Sequence, residues 1–551
     1  MFFDKIQGKA VRRMLDLLEE KEKIKLSMCY AIQIFGKEEM DVDFFMTHLN
    51  YLLAHSQIKV KSKKSILRYM NELVEDITKS HLNSSIPLRF DDNRLYININ
   101  KPILMTHLIV YYLHNSLKYL ILFHSFVGRA NNAQAMLEEI ETDDFSYLPQ
   151  EIYIETTEVT LRNKLKALNK ILALHGFQLD NSYHFVGREI NVRMFFYELY
   201  FFFMNGVLQS KSYLDTKFGE FIHQTLQEGR DLLEKITVCE QPTENERMGF
   251  AIIYGISVLR AMQNYTLSEC EIYSSFSKEE FQDKQIQEMF ITIKKDFLKR
   301  GFSVEVAESE SRFLLAYLYT ELPRFHLDGK KLFKDIFQMK VNNLWGEFLD
   351  FFEQYFDKPF QVQHSILLKE DFKRNFTRFL FFENLGLQRL IAVNYFEDSY
   401  RFMTRVLEEF SKRIFQILYP KREESYQKPY VSCYFIYLNY AYCYRILTNI
   451  ENGEHLFPYF PKVNAVIDFA GTQEKGRYVH LILEKRYGLN LNLQEHTTEE
   501  TDIVISNILT NDFENTNIST YLWSAFFTDE MIEILAKRID AIQNEKRRGA
   551  N

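Results

Sequence analysis

With 551 residues, 46% of them hydrophobic, and only 19 Gly and 10 Pro, the chain is too long for one hydrophobic core and too apolar to be disordered. A prior of roughly 100–200 residues per domain gives three to five domains. The formal net charge of −8 excludes a uniformly basic nucleic-acid coat, so any polyanion must be met by local clusters of positive charge.

Residues 1–100 read as a winged helix-turn-helix unit, with helices near 22–35, 41–54 and 63–77 separated by polar breaks. The last is its reading helix. Ser62 can cap it, Ile66, Met70, Leu73, Val74 and Ile77 recur on one face, and Lys63, Lys64, Arg68, Tyr69 and Asn71 fall on the other. No acidic residue stands between Lys59 and Arg68, and Lys61 adds to that cluster. The segment 86–98, IPLRFDDNRLYIN, alternates around Asp92-Asn93 and predicts a short hairpin, the wing.

Residues 101–193 repeat this order. Over 146–169, SYLPQEIYIETTEVTLRNKLKALN, a short helix and a longer amphipathic one are expected across a brief polar turn. Leu161, Leu165, Leu168 and Leu172 recur at four, three and four, so one face of the helix at 157–175 is apolar, with Arg162, Asn163, Lys166 and Asn169 opposite. An apolar back and a basic front suit a major groove. Gly176 follows, and FQLDNSYHFVG (177–187) predicts two short strands about an Asp180-Asn181 turn. Identity between the two units is low, so only the architecture recurs; the alternative for both is an ordinary helical hairpin.

From 194 to 450 the pattern is almost entirely helical, with amphipathic stretches near 194–208, 217–236, 246–264, 284–299, 308–322, 341–356, 371–387, 396–418 and 430–448. These read as two bundles, 194–305 and 306–450, with the polar run GFSVEVAESESRF (301–313) as their expected boundary. ENGEHLFPYFPK (451–462) looks like a linker into a small α/β domain at 455–551. There a strand at 463–471, a helix at 478–488, strands at 489–496 and 501–508 and a last helix at 528–545 are expected, with parallel strands covered on both faces. The fold class is therefore mainly α, with two winged helix-turn-helix units, two helical bundles and a C-terminal α/β domain.

This ordered set of parts resembles the Mga and AtxA family of bacterial virulence-type transcription regulators, which contain phosphotransferase-system regulation domains (PRDs), over nearly the whole chain. The most specific similarities are IYIETTEVTLRNKLKALN and FVGREINVRMFFYELY (185–200), which look like the family's second reading helix, its wing and a Gly-x-Glu-x-x-x-Arg passage, here Gly187, Glu189 and Arg193. VIDFAGTQEKGRYVHLILEKRYG is similar to the family's domain related to phosphotransferase enzyme IIB. Phosphocarrier versions of that domain place a Cys after the first strand; this chain has Ala470 and Gly471, and no cysteine between 444 and 551, so thiol phosphoryl transfer cannot occur at that loop. The resemblance implies a dimerisation module there and hence a homodimer, with Phe469 and the apolar face of 478–487 either interface or plain core. It also implies histidines in the bundles that phosphotransferase-system proteins modify. The corresponding positions are Glu246 and Asn439. Glu246 either imitates a phosphate charge or is a solvated residue at a helix start, where Glu is favoured, and the second reading is the simpler. His223, His326 and His364 are the remaining histidine candidates in the bundles.

No Gly-rich phosphate loop, HExxH pair or nucleophile elbow is present, and GTQEKGR (471–477) lacks the Lys-Ser/Thr ending of a nucleotide loop. No enzymatic activity, cofactor or metal is expected. Cys29, Cys239, Cys270, Cys433 and Cys443 lack metal-ligand spacing and fit reduced thiols of a cytoplasmic protein. The greasiest segment, 194–204, is too short to span a membrane and contains Glu198. The function read is a sequence-selective DNA-binding transcription regulator acting on promoter duplexes. Lys59, Lys61, Lys63, Lys64, Lys164, Lys166 and Lys170 would neutralise phosphates, Arg68, Asn71, Arg162 and Asn163 would reach base edges, and Thr157 joins the contacting set. The alternatives are a helical protein-interaction scaffold and an RNA-binding antiterminator-like regulator with a small β-rich reader.

Overall fold

The computed structural model describes most of residues 17–35, 39–49, 62–79, 88–97, 108–141, 157–201, 217–236, 242–356, 369–382, 462–507, 518–523 and 529–549. The first unit comprises α1 (Glu20–Phe35), β1 (Glu39–Asp41), α2 (Lys63–Lys79), β2 (Leu88–Asp91) and β3 (Arg94–Ile97). Asp91 faces Arg94, so the two strands pair antiparallel as the sequence predicts, while Asp92 and Asn93 themselves lie outside the described residues. The described residues from 42 to 49 are helical, as expected near 41–54, and residues 39–41 precede that helix. They form an extra strand antiparallel to β3, in a sheet of order β1-β3-β2, because the edge of β3 left open by the hairpin offers backbone partners. Ile66, Met70, Leu73 and Ile77 of α2 are buried, as are Ile24, Leu26 and Met28 of α1. Buried Lys25 of α1 donates to Asp76 of α2 at 2.5 Å, and the Tyr112 hydroxyl reaches the same carboxylate oxygen at 2.8 Å. That paired charge ties the first unit to the segment leading into the second.

The second unit is built on α3 (Leu117–Phe126), buried along its whole length, against which α4 (Ala133–Glu141) and α5 (Glu158–Leu172) pack. The short helix expected before α5 falls at 146–156, outside the described residues. After α5 one 3-10 turn, Ala173–His175, ends at Gly176, whose φ of +81° is the left-handed conformation glycine adopts freely. The wing follows as β4 (Phe177–Leu179) and β5 (Phe185–Gly187). Its loop is shaped by Asp180, whose carboxylate accepts from the backbone N–H groups of Ser182 (2.8 Å) and His184 (2.9 Å).

Gly187 passes straight into α6 (Glu189–Leu199), also buried throughout. Then come α7 (Lys217–Ile236), α8 (Glu244–Met262), α9 (Glu269–Tyr273), α10 (Lys284–Lys299), α11 (Val304–Glu321), α12 (Gly329–Leu332) and α13 (Asp335–Phe356). Gly229 lets α7 lie close on α8, since a Cβ there would stand 2.8 Å from the Ala251 Cα. The polar run at 301–313, expected as a boundary, is a short turn followed by α11. Ser303 caps that helix, and Glu310, Ser311 and Arg312 are buried: Arg193 of α6 meets Glu310, the Ser311 hydroxyl donates to the Ala307 carbonyl one turn back, and Arg312 pairs with Glu308. A single apolar core runs from Leu17 to Phe382, so both winged units and the helical middle share it. The stretches expected at 396–418 and 430–448 lie outside the described residues.

The carboxyl-terminal part has a separate core. It comprises β6 (Val463–Asp468), α14 (Gln473–Tyr487), β7 (Leu491–Gln494), β8 (Ile503–Ser506), β9 (Ser519–Leu522) and α15 (Asp529–Gly549). The sheet is parallel throughout in the order β7-β6-β8-β9, as the alternation of strands and helices predicts. The half-buried strand β9 gives no such signal and was not expected. Among the described residues, no helix is long and apolar enough to cross a membrane, and no cluster of three or more His, Cys, Asp or Glu is placed to hold a metal.

Candidate nucleic-acid interface

Helix α5 forms because Thr157 caps it, accepting from the Thr160 N–H at 3.2 Å, and because its leucines have a core to enter. Leu161, Leu165, Leu168 and Leu172 are buried as predicted. At about 100° per residue, Arg162, Asn163, Lys166 and Lys170 share the opposite stripe, and all four are exposed. Arg162 has 68% of its side chain exposed and, among the described residues, pairs with Glu158, one turn back, at 3.2 Å. Such an exposed pair is worth about 0.3–0.5 kcal/mol, so the guanidinium is easily recruited elsewhere.

Two residues on this helix are placed differently from the sequence reading. Asn169 is not an outward residue. Its side-chain amide donates to the Leu179 carbonyl at 2.7 Å and accepts from the Leu179 N–H at 2.8 Å, stitching the wing to the reading helix. The spacing pattern could not show this, because a polar side chain that borrows a strand's backbone partners still reads as polar. Lys164 lies on the flank and pairs with Glu19 of the first unit at 2.6 Å, while Lys118 approaches the same carboxylate at 3.8 Å. Burial works to raise the Glu19 pKa, but the Lys164 hydrogen bond and both lysine charges outweigh it, so the carboxyl sits below its ordinary value.

In the first unit Lys63, Lys64, Arg68 and Asn71 are exposed as expected. Lys63 meets Asp43 at 2.6 Å, and Arg68, 64% exposed, lies 3.7 Å from Glu72 and 5.0 Å from the centre of the Tyr69 ring. The exposed face of α2 also carries Glu75, so its positive charge is more diluted than that of α5. Lys59 and Lys61 fall outside the described residues.

The wing is held to the bundle through a buried ionic hub. Glu189, at the start of α6, accepts from Arg193 at 3.0 Å and from Arg260 of α8 at 2.8 and 2.9 Å. Arg193 also pairs with Glu310 of α11 and donates to the Tyr265 carbonyl at 2.9 Å. Burial alone would lower the Arg193 pKa, yet Glu310 and Glu189 hold it above its ordinary value; burial raises Glu310. The Arg260 guanidinium lies 3.9 Å from the Tyr265 ring centre and 5.1 Å from that of Phe185 in the wing. Gly187 has φ +142°, and a Cβ there would come within 2.7 Å of the Phe177 Cβ. The passage Gly187, Glu189, Arg193 is thus the joint that fixes wing against bundle.

Of the regulatory positions, Glu246 is the third residue of α8. It completes a capping box in which its carboxylate accepts from the Thr243 N–H at 2.8 Å. His223 is exposed on α7, while Asn439, His326 and His364 lie outside the described residues. The same end of α8 meets the C-terminal domain. Asn245 donates to the Ser506 hydroxyl at 3.0 Å and to the Asp468 carbonyl at 3.4 Å, and Thr243 donates to the Asp468 carboxylate at 3.3 Å. Asp468 and Ser506 end the neighbouring strands β6 and β8, where the sheet order reverses and open α/β sheets commonly bind ligands. The loop position of Ala470 and Gly471 is outside the described residues.

A capped helix with an apolar back, a polar front and a stitched hairpin beside it is a winged helix-turn-helix of the kind that reads duplex DNA. Residues 103–200, which contain it, match the family described as the Mga helix-turn-helix domain. That match places this segment with the helix-turn-helix domains of a DNA-binding regulator family. No curated protein matches the chain.

Proposed function

We propose that the chain is a sequence-selective transcription regulator that lays α5 in the major groove of promoter DNA, with the β4-β5 wing beside it and α2 as a second, weaker contact. The carrying observation is the exposed stripe of Arg162, Asn163, Lys166 and Lys170 opposite four buried leucines, inside the segment that matches the Mga helix-turn-helix domain. Lys166 and Lys170, with Lys63 and Lys64, neutralise phosphates and supply salt-dependent affinity; Arg162, Asn163, Arg68 and Asn71 discriminate bases. Thr157 serves chiefly as the cap that orients the first turn. The reading extends to a cytoplasmic homodimer joined through 455–551, which would place two reading helices on half-sites roughly one helical turn, about 34 Å, or a multiple apart. It also extends to tuning of the bundles by phosphotransferase-system proteins, with His223 of α7 exposed to solvent. No catalytic step, metal or cofactor enters it.

The test is a competition gel shift with the full chain on duplexes enriched from a random pool. Charge removal at Lys166 and Lys170 should weaken all sequences alike, whereas Arg162→Ala should relax preference at one base pair, which is worth about 1–3 kcal/mol. Failure of any duplex to be enriched, or binding that ignores salt, would favour the interaction-scaffold alternative.

A further inference from the structure

The geometry points to Val159 as a specificity-determining residue that packs on the C5-methyl group of a thymine. This inference rests on the duplex reading above and goes beyond it by assigning an apolar contact to a stripe so far described only by its polar members.

Val159 lies in the first turn of α5 and is 67% exposed, the largest exposure among the prominent exposed apolar side chains of the described residues. Its direction on the helix is informative. At about 100° per residue, Arg162, Asn163, Lys166 and Lys170 all lie within about 60° of it, so Val159 is central to the outward stripe and diametrically opposed to the buried leucines. It is therefore not a core residue at the edge of its face. A solvated helix stripe whose other members are Arg, Asn and Lys has no reason of its own for a β-branched apolar residue, which lowers helix propensity and gains nothing from water.

The first turn of a recognition helix is the part that reaches base edges, while residues further along meet the backbone. At that position an isopropyl group has one complementary surface in the major groove, the thymine methyl, since every other base edge there presents donors and acceptors. Arg162 and Asn163, one turn on, can reach adjacent base pairs. Val186, 47% exposed on the wing strand β5, is a separate apolar group on a different element and has no part in this contact.

The test uses the full chain and a duplex selected by it from a random pool, with each thymine replaced in turn by uracil, which removes only the methyl group. One substitution should weaken binding about fourfold, as for ~0.8 kcal/mol per buried methyl-sized group. In Val159→Ala that uracil duplex and its parent should bind equally, while Arg162→Ala should keep the discrimination. Equal binding of every uracil duplex by the unaltered protein overturns the inference, as does unchanged discrimination in Val159→Ala. If no duplex is selected, the DNA reading itself falls and this inference with it. If one is selected but is blind to uracil, only the valine assignment falls.

Discussion

Lys164, on the flank of the second reading helix, donates to Glu19 of the first unit at 2.6 Å, across 145 positions of sequence. The two winged units are therefore held together by charge beside the surface offered to a duplex. Because that lysine is already matched, its replacement should matter less for DNA than that of its neighbours. Lys166→Gln should lower the slope of log affinity against log salt by about one, and Lys164→Gln by clearly less. Titrations at several salt concentrations give both slopes, and equal reductions would count against the flank assignment.

The same pair has a pH signature. Glu19 has its pKa lowered from 4.5 in the folded chain. A carboxyl depressed on folding stabilises above its unfolded pKa, and that contribution is lost as pH falls through the folded value. The difference in urea midpoint between wild type and Glu19→Gln should thus be constant around neutrality, shrink below about pH 4.5 and go on shrinking as pH falls through the folded value. The carboxylate is half exposed, so the difference is small, and one that grows on acidification would contradict the pairing.

The hub of Glu189, Arg193, Arg260 and Glu310 allows a sharper test, because Arg193, Arg260 and Glu310 are fully buried and Glu189 nearly so. Glu310→Ala leaves the Arg193 guanidinium short of a partner and should cost about 3–5 kcal/mol in denaturant unfolding. Replacing both partners, Arg193→Met with Glu310→Leu, should recover most of that loss, since Arg260 still neutralises Glu189. Failure of the double variant to recover would mean that Arg193 acts mainly through the Tyr265 carbonyl.

Much of this organisation was legible from residue spacing. The four leucines of α5, the apolar face of α2, both hairpins and, β9 apart, the order of strands and helices after 462 follow from periods of 3.6 and 2 that burial enforces. What spacing could not reveal are polar side chains that act across long separations. Asn169 and Lys164 read as outward because their partners, Leu179 and Glu19, lie on other elements. The polar run at 301–313 read as a boundary between bundles for the same reason, since Glu310 is polar in sequence yet buried against Arg193. Strand β1 was not expected because three residues carry too little pattern, and its pairing depends on β3, more than fifty residues later. Val159 went unremarked because one apolar residue in a polar stripe is visible only once its exposure is known.

Asn245 supplies the last test, at the contact between α8 and the parallel sheet. Its amide, 1% exposed, bonds the Ser506 hydroxyl and the Asp468 carbonyl, and β6 and β8 meet α8 at the reversal of strand order. Asn245→Leu is close in shape but removes the donor, leaving the buried Ser506 hydroxyl and the half-buried Asp468 carbonyl without it at a cost of about 1–3 kcal/mol. Thr243 and Glu246 would still cap α8, so the helix itself should persist. The loss should fall on the contact between the two cores, separating one thermal transition into two and raising amide hydrogen exchange at 466–468 and 504–506. A single transition with unchanged exchange would show that Thr243 and surrounding packing hold the domain without Asn245. If the C-terminal domain also brings two copies together, loosening it should reduce DNA occupancy most at low protein concentration, where association limits binding.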